Sequence, residues 1–185
     1  MYIKGKTTEQ ETRNTGSANQ RKKPYTFDEA FKSSLEYFNG DELAARVWAN
    51  KYALKDSYGN LFEKNPDDMH RRLAKEIARI ENKYPNPLQT EDVYELLKGF
   101  KYIVPQGGPM AGIGNPYQIA SLSNCFVIGN KGRADSYGGI MKTDQEQVQL
   151  MKRRGGVGHD LSHIRPAGTP VMNSALTSTG VVPFM

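Results

Sequence analysis

The chain has a single cysteine, Cys125, among its 185 residues. That excludes a disulfide scaffold and any zinc site built from several of its own cysteines. Long apolar runs are missing too: nothing approaches the ~20 consecutive residues a membrane-spanning helix needs. Met1 to Gly5 hold no apolar stretch of the kind a secretory signal carries. Apolar residues are sparse, at 37% with a mean hydropathy of -0.66, so the chain is not expected to be packed from end to end. Neither a Walker loop nor a dinucleotide fingerprint occurs. What remains is a chain of one-domain length, or one domain with an appendage, able to bury roughly 70% of its unfolded surface. A cytoplasmic location and no membrane association are expected.

The net charge of +5 points towards nucleic acid until its distribution is read. The first 26 residues hold six basic and two acidic groups, which leaves 19 basic and 18 acidic in the rest. The excess therefore lies in a polar tail, and no direct nucleic-acid binding is expected. Residues 1–25 offer almost nothing to bury and read as a disordered basic tail.

Residues 26–104 read as a helical domain. Thr26-Phe27-Asp28-Glu29 fits a capping box, and Ala30, Phe31, Leu35 and Phe38 follow at helical spacing up to Asn39-Gly40. Asp41 caps a second helix whose stripe is Ala44, Trp48 and Tyr52, with Leu43 and Val47 beside them. Asn65-Pro66-Asp67-Asp68 starts a third, with Met69, Leu73, Ile77 and Ile80 facing inward and His70 on the charged side. Thr90 opens a fourth, carrying Val93, Leu96, Leu97 and Phe100. From residue 105 glycine and proline crowd the sequence. Cys125 to Ile128 is a β-type run, two helices follow between Ser136 and Arg154, the second opened by Thr143-Asp144-Gln145-Glu146, and a second strand is expected over Asp160 to Ile164. Strand, helix, helix, strand is the opening of an α/β domain spanning residues 105–185. The apolar end, Val181 to Met185, is expected to mark a truncation or one half of a split gene.

Three features can carry chemistry. Cys125 beside Phe126 and Val127 is ordinarily a small buried hydrophobe, and otherwise a reactive thiol. Arg154-Gly155-Gly156-Val157-Gly158 lets backbone amides approach a phosphate or sugar. His159, Asp160, His163 and Arg165 form a polar cluster, but a metal site would want a further ligand and a supporting shell, so no metal is expected.

Taken in order, Ser121-Leu122-Ser123-Asn124-Cys125-Phe126-Val127-Ile128, Asp135-Ser136-Tyr137-Gly138-Gly139-Ile140, Arg153-Arg154-Gly155-Gly156-Val157-Gly158, Ile164-Arg165-Pro166-Ala167-Gly168 and Thr177-Ser178-Thr179-Gly180-Val181-Val182-Pro183-Phe184 resemble the large, catalytic subunit of ribonucleotide reductase. Lys51-Tyr52-Ala53-Leu54-Lys55-Asp56 and Pro66-Asp67-Asp68-Met69-His70-Arg71-Arg72 resemble the helical domain that precedes its barrel. The resemblance covers residues 27–185. Pro105-Gln106-Gly107 and the segment around Asn124 are most similar to the adenosylcobalamin-dependent branch.

The resemblance implies an α+β or α/β architecture: an all-helical N-terminal domain followed by the opening elements of the α/β barrel. It implies an oxidoreductase that converts ribonucleotides to deoxyribonucleotides for DNA synthesis. In that family a thiyl radical takes the ribose 3′ hydrogen, the 2′ hydroxyl leaves as water, and two cysteines become a disulfide. Cys125 matches the first of those two reducing cysteines, Gly108, Asn124, Cys125 and Gly156 match substrate-contacting positions, and Asp135, Ser136, Tyr137 and Arg165 match the segment that holds a deoxynucleotide or ATP effector. Some relatives carry a second effector arginine where this chain has Met172. The implied cofactor is adenosylcobalamin, with no binding residue assigned here. The implied partners are a ribonucleotide, a nucleotide effector, a thioredoxin-type reductant, a second copy docked through residues 136–154, and the C-terminal part of the catalytic subunit. The thiyl cysteine and the second reducing cysteine lie in that part, so this chain is expected to be inactive alone. The alternatives are a regulatory nucleotide-binding module and an inactive truncated product.

Overall fold

A computed structural model describes residues 23–129 and 132–185. Most of the expected tail, residues 1–22, lies outside the described residues. Tyr25, placed in that tail by its sequence neighbours, belongs to the folded body: its N–H donates to the Leu61 carbonyl at 2.8 Å and its ring packs against the core. An aromatic just before a helix cap anchors the chain where it enters the helix.

Four helices build the first domain: α1 (Phe27–Tyr37), α2 (Glu42–Lys51), α3 (Pro66–Glu81) and α4 (Thr90–Leu97). Their starts are written locally. Thr26 and Glu29 close a reciprocal capping box, Asp41 accepts from Ala44 N–H, and Asn65 accepts from Asp67 and Asp68 ahead of Pro66. Asn39 and Gly40 turn left-handed and stop α1. Trp48, Leu61, Met69, Leu73 and Leu97 are buried at the centre, each worth roughly 1.5–3 kcal/mol of apolar burial. On α2 the inward face is Ala45, Trp48 and Ala49, whereas Leu43 and Val47 face solvent. The buried stripe is thus rotated from the one the sequence favours.

His70 is also corrected. It is fully buried, its ring stands edge-on to Phe100 at 4.5 Å between centroids, and neither ring nitrogen has a hydrogen-bond partner. Burial pushes its pKa below the usual value, against the opposing pull of Asp67. The folded state then holds fewer protons at this site than the unfolded chain, where the imidazole titrates near about 6.5. The stability it contributes is present above that value and lost as pH falls through it towards the lower folded pKa. The unfolding midpoint in urea should therefore fall between pH 7.5 and 5.5, with a slope from this residue of at most about 1.4 kcal/mol per pH unit. His70→Leu should flatten that slope. An equal slope in the variant would assign the pH dependence to other groups.

The second part holds a six-residue helix α5 (Gly107–Gly112), strand β1 (Cys125–Ile128), helix α6 (Tyr137–Met151) and strand β2 (Gly156–His159). β1 and β2 pair in parallel, Cys125 opposite Gly156 and Ile128 opposite His159. Two expectations fail here. The segment after Ser136 is one continuous helix rather than two: Thr143 lies inside it, its hydroxyl donating to the Gly139 carbonyl. The second strand runs over Gly156–His159, not Asp160 to Ile164, because it forms where it can pair with β1. Val127 is 91% exposed on this two-stranded sheet, although parallel strands are normally covered on both faces. No helix among the described residues is long and apolar enough to cross a membrane.

Candidate functional site

The sequence-assigned substrate residues converge at the heads of β1 and β2. The parallel register places Cys125 beside Gly156, and Gly156 N–H donates to the Asn124 carbonyl at 2.6 Å. A Cβ at Gly156 would stand 3.2 Å from that carbonyl oxygen and 3.9 Å from Cys125 Sγ. Since its amide is already engaged, the glycine contributes clearance next to the thiol. From the other side α5 brings Gly108, whose N–H donates to Asn124 Oδ1 at 2.6 Å. A Cβ there would meet that oxygen at 2.7 Å and the Leu122 and Ser121 carbonyls at 3.1 Å, so only glycine fits. Gly108, Asn124, Cys125 and Gly156 thus form one cradle, with Cys125 an exposed free thiol.

One cradle residue has no role in the sequence reading. Gln106 Oε1 accepts from Asn124 Nδ2, so the Asn124 carboxamide is held at both ends, by Gln106 and by Gly108. A polar side chain directly before a glycine pair was the available signal. The rim is basic: Arg154, at φ 67°, reaches the Lys51 carbonyl at 3.5 Å, and the Tyr52 ring lies against Gly107. Partial burial and the neighbouring Arg154 lower the Lys55 pKa.

The sequence-assigned effector residues also converge. Asp135, Ser136, Tyr137 and Arg165 line one cavity of about 300 Å³, closed by Ile140, Met172, Thr177 and Phe184 among others. Arg165 is bound directly to Asp135, its Nε donating to Oδ2 at 2.7 Å and its backbone N–H to Oδ1 at 3.0 Å. The backbone and side-chain bonds from Arg165 hold the Asp135 carboxyl below the usual carboxylate range, with burial opposing. Ser136 caps α6 by accepting from Gly139 N–H and donates to the Arg133 carbonyl. The Tyr137 ring stands edge-on to Phe184 at 5.7 Å. An exposed aromatic face, hydroxyls and a guanidinium fork around such a volume suit a base at one end and phosphate oxygens at the other. Met172 sits in the cavity wall. The helix α6 links the two places: it starts at this cavity, and just past its end Gly155 N–H returns to the Leu150 carbonyl beside the cradle.

The described residues thus form a four-helix domain leading into a parallel strand–helix–strand unit, with an exposed thiol at the head of its first strand. The family model for the all-alpha domain of ribonucleotide reductase matches residues 38–114, and that for its barrel domain matches residues 123–185. The chain belongs to the ribonucleotide reductase large-subunit family: an N-terminal helical domain, then the first elements of the barrel domain. It is 29% identical over 145 residues to the vitamin B12-dependent ribonucleoside-diphosphate reductase of Mycobacterium tuberculosis, covering 77% of this chain and 20% of the relative. It is 28% identical over 148 residues to the ribonucleoside-diphosphate reductase subunit alpha of Helicobacter pylori, covering 80% and 18%. With the large subunit of Arabidopsis thaliana identity is 36% over 64 residues, covering 35% and 8%. The chain spans about a fifth of the length of the first two relatives.

Proposed function

We propose that this chain supplies the substrate-side cradle and the effector-side cavity of a ribonucleoside-diphosphate reductase. In this reading the cradle receives the ribose, with Cys125 as one of two reducing thiols. Two thiols lose two protons and two electrons as an S–S bond forms; the ribose 2′ C–O bond breaks, a C–H bond replaces it, and water leaves. The second thiol must come from another polypeptide segment, since Cys125 is the only cysteine here. The Asn124 carboxamide, pinned by Gln106 and Gly108, orients the sugar beside the sulfur. Asp135, Ser136, Tyr137 and Arg165 hold a deoxynucleotide or ATP effector. Met141, Val148 and Met151 on α6 are more than half exposed and support a dimer formed through residues 136–154. A thioredoxin-type protein would regenerate the dithiol.

Adenosylcobalamin is the cofactor that the vitamin B12-dependent relatives imply, and it supplies the radical in such enzymes. No residue of this chain is assigned to it.

The observation that carries the reading is the exposed Cys125 thiol beside Gly156, with the adjoining Asn124 side chain fixed by Gly108. Alkylation of Cys125 by iodoacetamide, followed by mass spectrometry, tests it. Cytidine diphosphate at ten times its dissociation constant should slow the reaction on the order of tenfold. An unchanged rate at millimolar nucleotide would remove the substrate assignment.

A further inference from the structure

The helix α5 should not stand by itself. It has six residues, Gly-Gly-Pro-Met-Ala-Gly, while isolated helices need roughly 12–15 residues to be even marginal in water. Gly and Pro are also the poorest helix formers. Yet α5 delivers Gly108 to Asn124 with a 2.6 Å hydrogen bond.

Its far end is held by Arg72 of α3. The guanidinium donates through Nη2 to the Met110 carbonyl at 2.8 Å and through Nη1 to the Ile113 carbonyl. These are carbonyls at the helix end that lack intrahelical donors. The same fork is fixed from behind by Glu63, with Nε to Oε1 at 2.7 Å and Nη2 to Oε2 at 3.3 Å. Glu63 Oε2 also accepts from Leu54 N–H at 2.8 Å. Both side chains are nearly buried, at 10% and 4% exposure. Gly114 makes the approach possible: it sits at φ 68°, and a Cβ on it would stand 3.0 Å from Arg72 Cγ and 3.3 Å from Glu76 Cβ.

We propose that Arg72, oriented by Glu63, is a positioning residue for the nucleotide cradle. It clamps the C-terminal end of α5 to the helical domain and thereby holds the Gly108 amide on Asn124, next to Cys125. This rests on the substrate reading of the cradle, but the clamp itself is measurable without nucleotide. A lysine cannot replace it, because an ammonium lacks the planar fork that serves a carboxylate and two carbonyls together.

The test is amide hydrogen exchange on the full 185-residue chain, with Leu73 and Ala74 of α3 as internal reporters of the helical core. Arg72→Lys should raise the Gly108 exchange rate at least tenfold while Leu73 and Ala74 keep their protection. Gly114→Ala keeps both charged side chains of the clamp but sets a Cβ against Arg72 and Glu76 at a strained φ, forcing the end of α5 away from α3; it should raise Gly108 exchange in the same way. Arg79→Met, on the exposed side of α3, should change nothing at Gly108. In the same samples the two clamp variants should weaken cytidine diphosphate binding, and failure of the unaltered chain to bind would sink the substrate reading while leaving the exchange result to judge the clamp. The proposal is overturned if Gly108 protection is unchanged in either clamp variant, or if Gly108 and the α3 reporters lose protection together, including through global unfolding of Arg72→Lys. In that case Arg72 is a strut of the helical core and does not position the cradle.

Discussion

Arg165→Ala should weaken binding of a deoxynucleoside triphosphate to the effector cavity by about ten- to a hundredfold. A hydrogen bond to a charged group contributes roughly 1.5–3 kcal/mol, and each 1.4 kcal/mol is about a factor of ten in affinity. The pairing with Asp135 sharpens the expectation. Arg165 Nε is committed to Asp135 Oδ2, so in the proposed site phosphate oxygens would be met by the remaining nitrogens of the planar guanidinium, whose orientation the carboxylate fixes. Asp135→Asn removes that restraint but also removes a negative charge from the cavity. It should therefore cost less than the arginine variant. Calorimetry on both variants separates the roles: equal and unchanged affinities would reduce the pair to a loop-to-loop staple.

The helical domain was legible because its signals are local. Thr26 with Glu29, Asp41, and Asn65 with Pro66 are caps that act within four residues, and they start α1, α2 and α3 in the structure. His70 was misread because Asp67, Asp68, Arg71 and Arg72 surround it. Its spacing from Met69, Leu73, Ala74 and Ile77 nevertheless places it on the buried stripe, which spans more than one residue type. Beyond residue 105 local signals mislead. Gly138 and Gly139 lower helix propensity and Thr143 to Glu146 imitates a start, yet α6 runs through them. Gly156-Val157-Gly158-His159 is a poor strand former and becomes β2 only by pairing with β1. The end of α5 is bonded to Arg72, whose sequence position is far from its partners. The candidate site divides the same way. Cys125, Asn124 and the glycines could be named by family likeness, but the convergence of Gln106 and Gly108 on Asn124 is a tertiary fact.

Cys125 carries the central claim, and its removal should have the largest effect. In the proposed function a thiol at this place is the reductant, so its loss should stop the cycle where electrons are delivered, leaving nucleotide binding in place. Serine keeps nearly the same size and the exposed position at the head of β1. Cys125→Ser should therefore preserve binding of cytidine diphosphate to within a few-fold. The decisive measurement uses a chimera in which residues 38–185 replace the matching region of the Mycobacterium tuberculosis relative, assayed for deoxynucleotide formed per enzyme with excess dithiol. The chimera with Cys125 should turn over repeatedly, and the Cys125→Ser chimera should yield at most one product per active site. Repeated turnover by the serine chimera at the rate of its parent would contradict the account.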